Sequence, residues 1–298
     1  MWRWHGTDVP EADHRHTTIG VAQISQSAIQ HTSSSWYQGV IRSAAQRRQV
    51  SCRSPGGTSN ERTGPGPGPR AAPAALLGTV GAMSPQKAGS GYLTLPDAGE
   101  GPGVLVLHAW WGLTPFFKSV SDRLAEDGFV ALAPDLLAGR TADDPDEARA
   151  LLAEADMDAT LDLVRSSLLT LRGLPATPDA PVGVLGFSMG ASWAYWLAGR
   201  VPEVVAATVA FYGTQSIDMT PATSAFLGHY AEVDPYVDDD ERTLLEADLH
   251  VLDKDVTFHR YAGTGHWFFE EDRPAYDEAA AALAWRRTLD FLHRHLDG

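Results

Sequence analysis

From residue 182 the chain runs through an apolar stretch, Val182-Gly183-Val184-Leu185, into Gly186-Phe187-Ser188-Met189-Gly190 and on to Ala191-Ser192-Trp193-Ala194-Tyr195-Trp196-Leu197-Ala198. No other stretch limits the fold so sharply. An apolar run, a G-x-S-x-G and a helix-like run predict a strand, a sharp turn and a helix, the arrangement of a nucleophile elbow. Glycine on both sides lets the turn close where a Cβ would strike the neighbouring strand and helix. The turn lifts the Ser188 hydroxyl clear of the sheet, and the helix behind it points its first N–H groups back at the site. The competing reading is that Ser188 only caps that helix.

An isolated serine is a poor nucleophile. It needs an adjacent base, and the base needs an orienting carboxylate. Downstream of the elbow the expected order is an acid and then a histidine. The run Ser224 to Tyr230 reads as a strand, followed by Ala231-Glu232-Val233-Asp234-Pro235, where Pro235 stops further pairing. Asp234 is the candidate acid, with Glu232 its rival. The strand-like run Val256 to Tyr261 leads into Ala262-Gly263-Thr264-Gly265-His266 and the aromatics Trp267, Phe268 and Phe269. His266 is the candidate base. Chemistry in open α/β sheets gathers at the carboxyl ends of strands, and all three residues fall there. Turnover by such a base is expected to rise with pH through roughly 6–8 as an imidazole becomes neutral.

The upstream half of the site lies after Gly103-Val104-Leu105-Val106-Leu107-His108, a continuous apolar run of the kind buried on both faces. Ala109-Trp110-Trp111-Gly112-Leu113 follows, and Thr114-Pro115 opens a helix with proline at its first position. In folds with this elbow, that loop and the residue after the nucleophile each donate a backbone N–H to the developing oxyanion. Those donors would be Trp110 and Met189. Trp111, Tyr212 and Trp267 are candidate substrate-binding aromatics, while Phe116 suits the core equally well.

Alternation of elements sets the architecture. The expected order is strand 103–108, helix 114–127, strand 129–134, a helical stretch 146–172 and strand 182–187. The elbow helix to 199 follows, then strands 204–212 and 224–230, helix 240–251, strand 256–261 and helix 274–295. Residues 92–95 supply an antiparallel edge. Right-handed crossovers then require an α/β domain with a mainly parallel central sheet and helices on both faces. The acids Asp238-Asp239-Asp240-Glu241 begin the helix carrying Leu244, Leu245 and Leu249, where negative charge meets the positive dipole end. His14, His16, His293 and His295 form H-x-H pairs without the further ligands of a metal site, so no metal is expected.

Composition divides the 298 residues in two. The first 82 hold eight arginines, no lysine and four acids, a formal +4, leaving −19 on the rest of a chain whose total is −15. They include Gly64-Pro65-Gly66-Pro67-Gly68-Pro69 and keep no sustained period, which predicts a disordered extension, residues 1–82, ahead of one domain, residues 83–298. Translation in the native protein is expected to begin at Met83. The single cysteine, Cys52, falls in the extension, so no disulfide framework holds the domain and the cytoplasm is the expected compartment. The acidic balance disfavours nucleic acid and membrane surfaces as partners.

The elbow, His108 to Leu113, Phe211-Tyr212-Gly213, Asp234 and Gly265-His266-Trp267-Phe268 together resemble the dienelactone hydrolase family of α/β-hydrolases, and Ala279 to Leu292 resembles its closing helix. The resemblance spans roughly Tyr92 to Leu296. It implies a single α/β-hydrolase domain that cleaves a small-molecule ester or lactone through a covalent acyl-enzyme, with no cofactor. It also implies Ser188 as nucleophile, Asp234 as orienting acid and His266 as general base. Well-studied members carry cysteine where this chain has Ser188, and a glutamate where it has Ala109. Lactone-cleaving members hold the substrate carboxylate with an arginine four residues after the histidine, where this chain has Glu270, followed by Glu271 and Asp272. Acids there are expected to repel an anionic lactone and favour a neutral or cationic ester, lactone or thioester. A thioesterase or small-peptide hydrolase would use the same triad, and a non-catalytic binding protein would keep the fold without turnover.

Overall fold

A computed structural model describes residues 91–297. The expected extension, its Cys52, the His14 and His16 pair and the expected start at Met83 lie outside the described residues.

Seven strands form one sheet in the order β1-β3-β2-β4-β5-β6-β7. β1 (Gly91–Thr94) runs antiparallel to β3 (Val130–Pro134), with Tyr92 opposite Ala133. The other neighbours are parallel: β2 (Gly103–Leu107), β4 (Val182–Phe187), β5 (Val205–Phe211), β6 (Ala225–Val233) and β7 (Val256–Gly265). The helices are α1 (Pro115–Glu126), α2 (Pro145–Ala153), α3 (Met157–Arg172), α4 (Met189–Arg200), α5 (Asp239–Val251) and α6 (Glu278–Leu296).

The central strands bury both faces, and alternate residues serve alternate cores. In β2, Val104 and Val106 face a core shared with Phe117 and Val120 of α1 and Trp285 and Leu292 of α6. Leu105 and Leu107 face the opposite core, with Leu168 of α3, Tyr195 of α4 and Leu249 of α5. The expected mainly parallel sheet with helices on both faces is the fold observed.

Element boundaries depart most from expectation in four places, the first being β6, which continues past Tyr230 to Val233. The stretch 146–172 is two helices: α2 ends at Ala153, and Asp156 starts α3 by accepting from the Ala159 N–H at 3.1 Å. An aspartate side chain competes for backbone donors and so favours a helix start over a helix interior. β7 continues past Tyr261 to Gly265, its register against β6 shifting between Ala231 and Val233. The last helix begins at Glu278, with Asp277 as its N-cap. The acidic run behaves as expected, Asp238 capping α5 through the Asp240 N–H.

Candidate active site

The elbow is built by contact. A Cβ on Gly186 would land on the Gly190 carbonyl, and one on Gly190 would land on the Leu107 carbonyl. Glycine at both positions therefore lets β4 turn into α4 against the end of β2. At the corner Ser188 takes φ 50° and ψ −111°. Its hydroxyl makes no cap bond to α4 and instead lies 3.0 Å from His266 Nε2. Capping is thus not what the side chain does.

Ser188, Tyr212 and Trp267 are three of the five non-glycine residues with positive φ among the described residues. Such conformations persist only where surrounding structure enforces them, and they concentrate at functional sites. Here all three sit at carboxyl ends of β4, β5 and β7.

His266 is 4 % exposed, and its Nδ1 lies 2.7 Å from Asp234 Oδ2. The other carboxylate oxygen is already occupied, since Oδ1 accepts from the Tyr236 and Val237 N–H groups at 2.8 and 3.1 Å. That turn just past β6 fixes which oxygen meets the imidazole. An ionised carboxylate only accepts, so Nδ1 carries the proton and Nε2 presents a lone pair to the Ser188 hydroxyl. Glu232, the rival acid, turns outward and accepts from the Gly263 N–H at 2.7 Å.

Aromatic rings enclose this centre. Tyr236 and Trp267 lie 4.8 and 5.0 Å from the His266 ring, and Trp110 lies 5.5 Å from Tyr236 and 6.2 Å from Trp267. Trp111 packs against Trp267 in a tilted arrangement, ring centroids 5.1 Å apart, with the Arg273 guanidinium 3.9 Å from the Trp111 ring centroid. The buried indole N–H groups of Trp110, Trp111 and Trp267 have no protein partner among the described residues. Phe116 packs against Phe117, Phe187 and Phe269 and belongs to the core. Tyr236, 38 % exposed, was not legible as a site residue. Only its place two residues after Asp234 could have pointed to it.

Tyr212 is fully buried. Its ring lies 4.9 Å from the His266 ring, and its hydroxyl donates to Glu270 Oε1 at 2.7 Å. The expectation that Glu270 would present charge to a substrate is corrected here. Glu270 has no exposed surface, and burial pushes its carboxyl up to about 8, the Tyr212 hydroxyl offsetting only part of the cost. The Trp111 indole favours the ionised form slightly without reaching hydrogen-bond geometry. Buried and raised in this way, Glu270 does not present an exposed charge to a substrate. Among the described residues no three His, Cys, Asp or Glu side chains gather as metal ligands, and no helix is long and apolar enough to cross a membrane.

Residues 90–296 match the model of the dienelactone hydrolase family. The chain is 36% identical over 216 residues to the protein usf of Aquifex pyrophilus, covering 69% of this chain and 93% of that one. It is 33% identical, with the same coverage, to a putative carboxymethylenebutenolidase of Aquifex aeolicus. The crystal structure of a putative dienelactone hydrolase from Klebsiella pneumoniae superposes with a TM-score of 0.62 at 21% identity, over 70% of this chain and 94% of that one, and so shares the fold. With the sheet order, the elbow and the family match in agreement, the chain belongs to the dienelactone hydrolase family, hydrolases that act on ester or lactone bonds.

Proposed function

We propose that the protein hydrolyses a small ester or lactone through a Ser188-His266-Asp234 triad and an acyl-enzyme. The observation that carries this reading is the unbroken relay from Ser188 Oγ to His266 Nε2 at 3.0 Å and from His266 Nδ1 to Asp234 Oδ2 at 2.7 Å. As Ser188 Oγ attacks the acyl carbon, its proton passes to His266 Nε2. The new C–O bond pushes an electron pair onto the carbonyl oxygen, which the N–H groups of Trp110 and Met189 receive. Each such donor is worth roughly 3 kcal/mol at the transition state. Collapse expels the alkoxide, which takes the proton from His266. Water then attacks the acyl-enzyme by the same route and releases the acid, restoring Ser188. Asp234 holds the imidazole tautomer throughout and stabilises its charged form.

The rings of Trp110, Trp267 and Tyr236 offer the substrate an apolar wall. No step needs a metal or cofactor. We assign residues 83–298 as the catalytic unit and the cytoplasm as its compartment, on the composition break and the single cysteine outside that unit.

Intact-mass measurement after treatment with a fluorophosphonate tests both assignments. One adduct is expected on the full chain and on a chain starting at Met83, and none on Ser188→Ala. A folded wild type that stays unlabelled would sink the hydrolase mechanism. Labelling confined to the full chain would overturn the domain assignment alone.

A further inference from the structure

His108 ends the run of β2, has no exposed surface, and takes no part in the relay described above. Both of its ring nitrogens are engaged by the backbone. The Leu136 N–H donates to Nε2 at 3.0 Å. An imidazole nitrogen that accepts carries no proton, so Nδ1 is protonated, and it donates to the Ala109 carbonyl at 2.6 Å. Burial lowers the His108 pKa, which keeps the ring in this neutral, one-donor, one-acceptor form.

The Ala109 carbonyl also accepts from the Gly112 N–H at 3.2 Å, so two donors hold it on one side of the chain. The peptide unit joining Ala109 to Trp110 is planar and trans. Its carbonyl and its N–H therefore point in opposite directions, and fixing one fixes the other. No backbone acceptor takes up the Trp110 N–H among the described residues. The start of α4 presses on this segment, because Gly190 lies against the Leu107 and His108 carbonyls. The loop is also tied to the segment after β3, through Leu136 to His108 and through the Ala142 N–H to the Trp111 carbonyl at 3.0 Å.

We propose that His108 is a positioning residue for the oxyanion hole, gripping the Ala109 carbonyl so that the Trp110 N–H is aimed at the carbonyl oxygen under attack by Ser188. The assignment rests on the reading of Trp110 as an oxyanion donor. His108 touches no substrate; it acts through the peptide plane, and its contribution appears only as charge develops on the oxygen. It belongs to kcat and not to KM.

Two substitutions separate its two bonds. His108→Asn places an amide donor at the position of Nδ1 and gives up the contact with Leu136. His108→Gln places an acceptor near the position of Nε2 and gives up the donor to Ala109. With a 4-nitrophenyl ester of a short acid, the glutamine variant is expected to lose about 30- to 100-fold in kcat at a KM within twofold of wild type, approaching the loss of one oxyanion donor. The asparagine variant is expected to recover to within about fivefold of wild type. Equal losses in both, or a glutamine variant faster than the asparagine one, would overturn the proposal. Nitrogen-15 correlation spectra of the wild-type imidazoles give a second measurement that needs no variant to fold. A ring protonated at Nδ1 is expected for His108, and one protonated at Nε2 would overturn the proposal. Fluorophosphonate labelling of wild-type Ser188 keeps the two readings apart, since a labelled serine upholds the hydrolase whatever His108 does.

Discussion

Glu270 pays for its position behind His266, the proposed base. A glutamate that ionises at 4.5 in the ordinary case does so near 8 in this fold, because burial penalises its charge. A raised carboxyl stabilises the fold fully below about pH 4.5, and that contribution is lost as the pH climbs through about 8. The gap corresponds to a few kcal/mol, on the order of 1.4 kcal/mol for each pH unit. Urea denaturation of wild type and Glu270→Gln at pH 5, 7 and 9 should show wild type losing ground to the variant by several kcal/mol across that range. A constant difference would mean that Glu270 is ionised throughout. At this scale the sequence was uneven. The tight turn at Gly186 and Gly190 and the meeting of Ser188, His266 and Asp234 were legible, because an elbow demands a fixed spacing and the other two follow strand ends in order. Glu270 was misread, since four residues after His266 suggests a loop facing substrate, whereas the turn folds Phe268, Phe269 and Glu270 inward. His108 was read as the end of a strand, because a side chain that serves the backbone leaves no motif.

Elements were easiest to place where burial is complete. β2 and β4 are continuous apolar runs, and their bounds fall within a residue of expectation. Trouble arose where a polar side chain decides. The helical period continues on both sides of Glu154-Ala155-Asp156, so periodicity alone joins α2 to α3, and the separation comes from the Asp156 cap. Asp156→Ala should cost about 1 kcal/mol, seen as a thermal midpoint lower by about 2–4 °C for a domain of this size, with kcat unchanged because α3 supplies nothing to the site. A larger fall would mean that the break carries more than a cap. β7 was drawn short for a related reason. Gly263 and Gly265 read as turn residues, yet pairing with β6 carries the strand on to Gly265 after its register shift. His266 therefore stands directly at the end of a paired strand, a firmer base than a loop.

At the largest scale, one sheet separates two cores among the described residues, and a histidine buried beside it is expected to tie the fold to pH. His229, on β6, is fully buried, bonded to the Tyr261 hydroxyl at 2.8 Å and the Thr288 hydroxyl at 3.1 Å. Burial first, and then the nearby His259 and Arg287 charges, hold its pKa well below 6.5. A histidine depressed in this way supports the fold above about pH 6.5 and withdraws that support as the pH falls, because the unfolded chain takes up a proton that the folded one refuses. Thermal midpoints should drop between pH 6.5 and 5, and His229→Gln should flatten that slope. A variant as acid-sensitive as wild type would assign the effect to other groups. The sheet order has another consequence, one of timing. Ser188 follows β4 in the middle of the sheet, whereas its proposed base, His266, follows β7 at the edge, 78 residues later in the chain. If the proposed triad holds, the nucleophile leaves the ribosome during synthesis well before the histidine that would activate it has been made. On that reading a partly built chain carries a serine with no base, and reactivity arrives only when β7 has been translated and added to the sheet.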